Sequence, residues 1–355
     1  MKLHLYILRE LLLGFGFAVG GMVILALPAI AVAAVSKLAG VDTQAILNFV
    51  PLLLAGLVPY IVPLGFLLSV VVTYGRLAAD NEWTAAVMSG RNPIALLLPG
   101  LTLAMACSSF TLWLVSEELP EVRRRQTEYQ FAALRSTVTN LGPGRTELQI
   151  GKYYIAAGWR DGADFIDALI YVPERGKERA RTILAERVHF QVSEQSMDVH
   201  IMKPRIVRGE MDVRGGSLVV RLDLDDIDRE KERSYSGLRY TKSTQLIRDL
   251  AQGRPEDAES SRRARFELHY RAAISSTCLL FLLLGAPTGL MLRRGTQLSA
   301  LATAVGYALV YYLLSMRLSR QLTLGGLLSP EMGAWAIPAV GGLYGLWLVS
   351  RAMRR

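Results

Sequence analysis

Cysteine and histidine are scarce in this 355-residue sequence, which contains two cysteines and four histidines. Cys107 and Cys278 both lie in apolar stretches. A disulfide framework or a structural zinc site needs more such residues at close spacing, so we expect both cysteines to pack as small buried side chains. His189 and His200 fall on polar positions of neighbouring predicted strands and could face each other. We interpret them as solvated side chains rather than metal ligands.

The sequence also lacks the common signatures of catalysis. No phosphate-binding loop of the form Gly-x-x-x-x-Gly-Lys-Ser/Thr occurs, so this chain should not hydrolyse ATP by that route. The zinc protease pattern His-Glu-x-x-His and the hydrolase pattern Gly-x-Ser-x-Gly are absent as well. We therefore predict a chain that is not an enzyme and that needs neither a cofactor nor a metal.

Charge is sparse at both ends of the chain. Residues 117–271 carry 26 of the 31 acidic and 28 of the 40 basic residues, which leaves 5 acidic and 12 basic residues for the 200 others. With 51% hydrophobic residues, this distribution excludes a single soluble globule, a disordered chain and a collagen-like fibre. The net charge of +9 does not indicate nucleic-acid binding, because the polar block contributes only +2 (28 minus 26).

Long uncharged stretches make up the two flanks. A helix that crosses the hydrocarbon core needs about 20 apolar residues, because lipid offers no hydrogen-bond partner to the backbone. Three stretches precede the polar block and three follow it, which predicts an α-helical polytopic membrane protein with six transmembrane helices (3+3). The first stretch is too long for the apolar part of a signal peptide. The stretches are residues 11–36, 43–75, 92–116, 272–292, 295–316 and 332–350.

Prolines make the second stretch unusual. Pro51, Pro59 and Pro63 each remove a backbone donor. We expect them to bend this helix or to leave part of it outside the bilayer.

Basic residues of the flanks predict the orientation, because short cytoplasmic loops collect Lys and Arg. If the chain starts inside, only Lys37, Arg317 and Arg320 fall on the far side. Both termini are then cytoplasmic and the polar block lies outside the cytoplasm. The basic residues on the cytoplasmic side are Lys2, Arg9, Arg76, Arg91, Arg293, Arg294, Arg351, Arg354 and Arg355.

The polar block shows period-two alternation of apolar and polar residues between turn signals, which predicts half-buried β-strands. Short strands at this spacing are typical of a β-sandwich, a jelly roll or an open barrel. The pattern predicts a strand over 165–172, a hairpin of 188–192 and 197–201 with its turn at 193–196, and a second turn at 214–217 before a strand over 218–224.

The charge-dense residues 225–265 are interpreted as the return connection to the membrane. Pro255 interrupts this segment, and residues 244–250 predict a short helix. We therefore predict a first transmembrane half over 1–116, an inserted all-β domain with connecting segments over 117–265, and a second transmembrane half over 266–355.

Asp, Glu, His, Lys and Arg are absent from the six uncharged stretches. Ion-coupled transporters usually keep buried carboxylates, histidines or lysines at membrane depth. The sequence therefore favours a source of energy outside this chain, most simply a partner that acts on a cytoplasmic surface.

The cytoplasmic segment 76–91 is the predicted docking surface for that partner. Trp83, Val87 and Met88 can share one face of a short amphipathic helix, Glu82 lies near its start, and Ser89-Gly90 is a suitable stop. Such a helix can dock into a groove of another protein. The alternative is a helical loop that lies on the lipid headgroups.

Three cations at the outer ends of the spans also have two interpretations. Lys37, Arg317 and Arg320 can be anchors whose charged ends reach the membrane surface. They can also recognise anionic groups, such as the phosphates of a lipid headgroup.

Several short sequence segments support the order of three spans, a β domain and three spans. Tyr74-Gly75-Arg76-Leu77, followed by Glu82 and Ser89-Gly90, is similar to the cytoplasmic coupling segment of the LptF/LptG (YjgP/YjgQ) permease family. The whole chain resembles this family, which supplies the paired membrane subunits of the lipopolysaccharide exporter. Further similar segments are Phe266-Glu267-Leu268-His269-Tyr270-Arg271, Leu284-Gly285-Ala286-Pro287-Thr288-Gly289, Arg293-Arg294-Gly295 and Tyr311-Tyr312-Leu313-Leu314.

The resemblance implies a jelly-roll-like periplasmic β domain and a place in the bacterial inner membrane. It implies a heterodimer with a related permease, a cytoplasmic ATPase dimer of the LptB type, and periplasmic β-domain partners of the LptC and LptA type. The implied substrate is lipopolysaccharide, with membrane lipids around it and no nucleic acid. Glu82 matches the acidic residue that pairs with an ATPase arginine, and Lys37 falls where relatives place residues that meet lipopolysaccharide phosphates.

Other functions remain open at this point. The chain could be a mechanotransmission or structural permease that moves no lipid, or a secondary transporter for small solutes. Depletion of an exporter would leave lipopolysaccharide in the inner membrane, whereas a secondary transporter would work in vesicles without any ATPase.

Overall fold

The computed structural model describes residues 2–38, 43–139, 147–150, 153–161, 164–172, 181–192, 196–208, 211–214, 216–223, 236–253, 258–291 and 297–354. The predicted turn residues 193–195 and 215, two parts of the charge-dense segment (225–235 and 254–257) and Arg293-Arg294-Gly295 lie outside these ranges. The chain forms two compact units. The first comprises Met1–Ala29, Leu54–Arg123 and Gly237–Arg355, and the second comprises Ile30–Leu53 and Arg124–Ser236.

Long helices dominate both ends of the chain. The first half contains α1 (Lys2–Lys37), α2 (Thr43–Ala79), the short α3 (Glu82–Met88), a 3₁₀ turn (Ala95–Leu97), α4 (Leu98–Trp113), a π-helical turn (Leu114–Glu118) and α5 (Leu119–Thr139). The second half contains α6 (Ser236–Tyr240), α7 (Ser243–Ala251), α8 (Ala258–Ser275), α9 (Thr277–Met291), α10 (Gln297–Leu313), a π-helical turn (Leu314–Leu318), α11 (Ser319–Leu324) and α12 (Pro330–Met353).

Within the described residues, six helical segments are long and apolar enough to cross a membrane. The prediction of six spans, three on each side of the polar block, is therefore confirmed in length and composition. The three prolines of the second segment do not interrupt it, because α2 runs as one helix through all of them. The segments are Lys2–Lys37, Thr43–Ala79, Ala95–Gln130, Ala258–Met291, Leu301–Thr323 and Pro330–Met353.

The insert between the two helical halves is an antiparallel β-sheet. Its strands are β1 (Glu147–Ile150), β2 (Tyr153–Asp161), β3 (Asp164–Val172), β4 (Arg181–Val192), β5 (Ser196–Met202), β6 (Arg205–Arg208), β7 (Met211–Arg214) and β8 (Ser217–Asp223). They follow the order β1-β2-β3-β4-β5-β8, and β6 pairs with both β4 and β7. A polytopic helical chain with a β insert is thus the observed architecture.

The register of the sheet confirms the hairpin predicted from alternation. Val188 on β4 lies opposite Ile201 on β5, and both side chains are buried. Phe165 on β3 pairs with Val188 on its other side and is fully buried. The strands predicted over 165–172 and 218–224 correspond to β3 and β8, and the helix predicted over 244–250 corresponds to α7.

Close contact between α2 and α9 forms the centre of the first unit. A Cβ atom added to Gly289 would lie 2.6 Å from the carbonyl oxygen of Val71 and 2.8 Å from the amide nitrogen of Gly75. One turn earlier, a Cβ at Gly285 would meet the side chains of Leu67 and Val70 at 3.0 and 3.1 Å. Small residues four apart allow two helix backbones to approach this closely.

The second unit has its own apolar cluster at the C-terminal end of α1 and the N-terminal end of α2. Ala34 and Leu38 of α1 pack with Phe49 of α2. Tyr129 of α5 stacks on Phe49, with ring centroids 5.8 Å apart. The side-chain amide of Gln126 donates to the carbonyl of Leu52. These contacts explain why residues 30–53 group with α5 rather than with the remainder of α1 and α2.

The glycine contact yields a stability prediction. Gly289→Ala should destabilise the protein by about 1–3 kcal/mol, because the new methyl group meets backbone atoms that cannot move independently. The matched control is Gly342→Ala in α12, where an added Cβ meets nothing within 4 Å. Both changes gain a similar helix propensity. Thermal unfolding in detergent should show a lower Tm for Gly289→Ala alone, and equal Tm values would contradict the close-packing role.

Candidate functional site

The segment 76–91, which the sequence predicts to be cytoplasmic, contains one short helix. Arg76 belongs to the last turn of α2, and α3 covers only Glu82–Met88. Asn81 adopts a left-handed conformation (φ 59°) and turns the chain between the two helices, which asparagine tolerates better than most residues. Glu82 stands in the first turn of α3, where a negative charge complements the helix dipole. Gly90, with φ 84°, follows the end of α3, as the sequence predicted.

One face of α3 packs on the first unit itself. Trp83 and Val87 are half-buried against the main apolar cluster. The ring of Trp83 meets Tyr74 of α2 edge to face, with centroids 6.1 Å apart. The Tyr74 hydroxyl in turn donates to the carbonyl of Leu96 at 3.1 Å. Trp83 and Val87 therefore hold α3 in place, rather than presenting their side chains fully to a partner.

A polar chain connects α3 to the first two helices. The Tyr6 hydroxyl on α1 donates to Oε1 of Glu82 at 3.3 Å. The same hydroxyl accepts a hydrogen bond from Arg76 at 3.2 Å, and Arg76 forms an ion pair with Glu10 at 2.8 Å. Sequence reasoning selected Glu82 and Arg76 but missed Tyr6 and Glu10, because 76 residues separate Tyr6 from Glu82 and no periodicity relates them.

The exposed side of the segment presents a mixed surface. Met88 is 83% exposed, and Arg91 is exposed as well. A cavity of about 570 Å³ opens beside α3, between its inner face and the ends of α9 and α12. Methionines adapt their shape to irregular partners, so this surface suits protein contact. The cavity is lined by Ala78, Trp83, Thr84, Val87, Met88, Pro93, Leu290, Met291, Ala352 and Met353.

The predicted headgroup residues lie in both units. Lys37 ends α1 in the second unit and is exposed, a position where its charge complements the helix dipole. Arg317 lies exposed in the π-helical turn 314–318, and Arg320 lies half-buried on α11 in the first unit.

Arg320 belongs to a concentration of positive charge in the first unit. Burial lowers the pKa of the Arg239 guanidinium on α6, and the positive charges of Arg320 and Arg123 lower it further. Arginine stays protonated at neutral pH even so. The negative charge of Glu267 acts in the opposite direction and raises this pKa.

A buried arginine of α8, missed by sequence reasoning, organises the same unit. Arg271 is 3% exposed and forms an ion pair with Glu267 at 3.2 Å. Its other nitrogens donate to the carbonyls of Leu238 and Thr241 at 2.8 and 3.0 Å and to the Ser243 hydroxyl at 2.9 Å. The return connection α6–α7 is thereby fixed to α8. Sequence reasoning named both residues only within the family-like segment 266–271 and did not predict their pairing, because the pair precedes the uncharged stretch that begins at residue 272.

The two strand histidines lie opposite each other, an arrangement that the sequence allowed, and both are half-buried rather than fully solvated. His189 on β4 is the register partner of His200 on β5, and their ring centroids are 6.3 Å apart. The Nδ1 atom of His189 lies 2.6 Å from Oδ1 of Asp164. The other carboxylate oxygen of Asp164, Oδ2, pairs with Arg187 at 3.3 Å. Among the described residues, no group of three His, Cys, Asp or Glu side chains is arranged to hold a metal ion.

Comparison with known proteins agrees with the architecture. A family model described as "Lipopolysaccharide export system permease LptF/LptG" matches residues 5–351. The search of curated proteins gives no match. The family match extends over both helical halves and the β insert between them, so that α3, Lys37 and Arg320 all fall inside it. The chain therefore belongs to the LptF/LptG family of lipopolysaccharide export permeases.

Proposed function

We propose that this chain is a permease subunit of an ABC-type transporter that extracts lipopolysaccharide from the inner membrane. A second, related permease completes the membrane part, and a separate cytoplasmic ATPase dimer supplies the energy. The extracted lipid passes to the β domain and from there to periplasmic β-domain proteins toward the outer membrane. The family match over residues 5–351 is the observation that carries this proposal.

The helix α3 supports the assignment of energy supply to a partner. It lies between two candidate spans, where a partner can contact it. Its inner face packs on α2 and the main cluster. A force on α3 is therefore transmitted to the spans rather than absorbed by a loose loop. Glu82 supplies an acidic group in the first turn of α3, and Met88 and Arg91 extend the proposed docking surface.

The buried Glu267–Arg271 pair bears on the alternative of a secondary transporter. A proton-carrying carboxylate must gain and lose its charge during transport. Glu267 instead faces a permanent cation whose other donors are occupied by Leu238, Thr241 and Ser243. Loss of the Glu267 charge would leave a buried guanidinium without its counter-charge, which costs several kcal/mol. The pair therefore suits a structural joint better than a proton carrier.

Positive charge supports contact with a phosphorylated lipid. Arg320 lies near the crowded guanidinium of Arg239, and Arg317 is exposed close by in sequence. Arginine binds phosphate oxygens through paired hydrogen bonds. We propose that Lys37, Arg317 and Arg320 contact lipid headgroup phosphates, with both termini cytoplasmic and the β domain in the periplasm.

The β insert supports the role of acceptor. Its antiparallel strands bury an apolar set that includes Phe165, Ile170, Ile183, Val188 and Ile201. We propose that the domain has a jelly-roll-like form, and that its terminal strands β1 and β8 pair with the β domain of the next protein.

Reconstitution tests the function directly. The chain, its paired permease and the ATPase are placed in vesicles that contain lipopolysaccharide, and a soluble β-domain acceptor collects the released lipid. ATP should drive transfer, and a proton gradient without ATP should not. Transfer by the chain alone along a proton gradient would favour the secondary transporter. ATP hydrolysis without lipid transfer would favour the mechanotransmission alternative.

Charge reversal tests the docking role of α3. Glu82→Lys should reduce co-purification of the ATPase about tenfold or more, because breaking a charge pair at an interface costs about 2–5 kcal/mol. Asp80→Lys is the matched control, since Asp80 is exposed in the turn before α3 and undergoes the same change of charge. Both variants should reach the membrane in normal amounts. Equal co-purification of the two variants would remove Glu82 from the docking surface.

Lys37 can be tested by crosslinking. A photoreactive amino acid in place of the exposed Ser36 reports lipid at the outer end of α1. Lys37→Glu should reduce its crosslinks to lipopolysaccharide, because a carboxylate repels the phosphates. Lys242→Glu, which reverses another exposed charge, should leave them unchanged. Undiminished crosslinking in Lys37→Glu would make Lys37 a membrane anchor only.

A further inference from the structure

The hydroxyl of Tyr6 both donates and accepts a hydrogen bond, and its two partners lie on different helices. It donates to Glu82 at the start of α3 and accepts from Arg76 at the end of α2. The same nitrogen of Arg76, Nη2, also forms an ion pair with Glu10, one turn further along α1. The hydroxyl is therefore the single atom that joins the ends of α1, α2 and α3 in this polar chain.

The start of α3 depends on such a tether. A helix of seven residues is unstable by itself, and the side chain of Asn81 does not cap α3. Trp83 and Val87 anchor the inner face of α3. The hydrogen bond from Tyr6 to Glu82 adds a second attachment, on the first turn of α3 and to a different helix.

The same end of α1 is firmly attached to α2. Ile7 and Leu11, which follow Tyr6 on the helix, are 2% and 0% exposed. The Ser69 hydroxyl on α2 donates to the carbonyl of Leu11 at 2.7 Å. Further along, Gly65 leaves room for Val19, whose methyl group would lie 2.7 Å from an added Cβ. A displacement of Glu82 is thus passed to a stretch of α1 that moves together with α2.

We propose that Tyr6 is a positioning residue that couples α3 to α1 during transport. This inference rests on the proposed function, in which an ATPase acts on Glu82. A carboxylate has about four acceptor sites, so Glu82 can bind a partner's cation while it accepts from Tyr6. Arg76 and Glu10 keep the Tyr6 hydroxyl in place under that load.

Hydrogen exchange of the purified chain tests the tether without any transport assay. Tyr6→Phe keeps the ring and removes only the hydroxyl. Amide exchange over residues 82–88 should become about two- to tenfold faster, the range that corresponds to one hydrogen bond. Tyr171→Phe, which removes an exposed hydroxyl from β3, is the control. Unchanged exchange over 82–88 in Tyr6→Phe would overturn the tether.

The reconstituted exporter tests the coupling. Tyr6→Phe should retain ATPase co-purification but release about two- to tenfold less lipopolysaccharide per ATP hydrolysed. Glu82→Ala, which removes the acceptor of the Tyr6 hydroxyl, should abolish this sensitivity, so that the double variant equals Glu82→Ala alone. An unchanged ratio in Tyr6→Phe, or additive losses in the double variant, would overturn the coupling role. Failure of the wild-type complex to release lipid with ATP would instead refute the proposed function, and the exchange result would still judge the tether.

Discussion

Backbone contact between α2 and α9 is the constraint on which the first unit depends. Gly289 lies so close to Val71 and Gly75 that no side chain fits between the two helices. Dispersion contacts and small residues hold helices together in lipid, where the hydrophobic effect gives no preference for protein over solvent. Because α2 continues directly to Arg76 and the turn before α3, this contact also sets the position of α3.

Two arginines, the buried Arg271 and the half-buried Arg262, fix irregular segments of the same unit to the helices. Arg271 collects carbonyls of α6 and its following turn. Arg262 donates to the carbonyls of Thr323 and Leu328 near the end of α11. Both donate to backbone carbonyls at or near helix ends, where acceptors left unpaired in an apolar environment are costly. Guanidinium groups suit this role because they carry several donors in a fixed plane.

Sequence patterns predicted the parts of the fold that repeat locally. Uncharged stretches gave the six candidate spans, and period-two alternation gave the pairing of Val188 with Ile201. The patterns could not reveal contacts between distant residues, such as Tyr6 with Glu82 or Arg271 with Leu238. They also could not assign the faces of α3. Trp83 and Val87 lie at helical spacing, but only the packing on Tyr74 shows that this face is turned toward the chain itself.

The two π-helical turns affect which direction the side chains of the third and fifth candidate spans face beyond each turn. Each turn at 114–118 and 314–318 holds about one residue more than the α-helix on either side, and one residue rotates a helix by about 100°. Removal of that residue would restore a regular helix but swing the outer portion by more than a quarter of a circle. Glu117 would then leave Thr244, which it contacts at 3.3 Å. A single-residue insertion or deletion at either turn would thus rotate the residues that follow the turn. The helix before the turn, α4 or α10, would keep its packing.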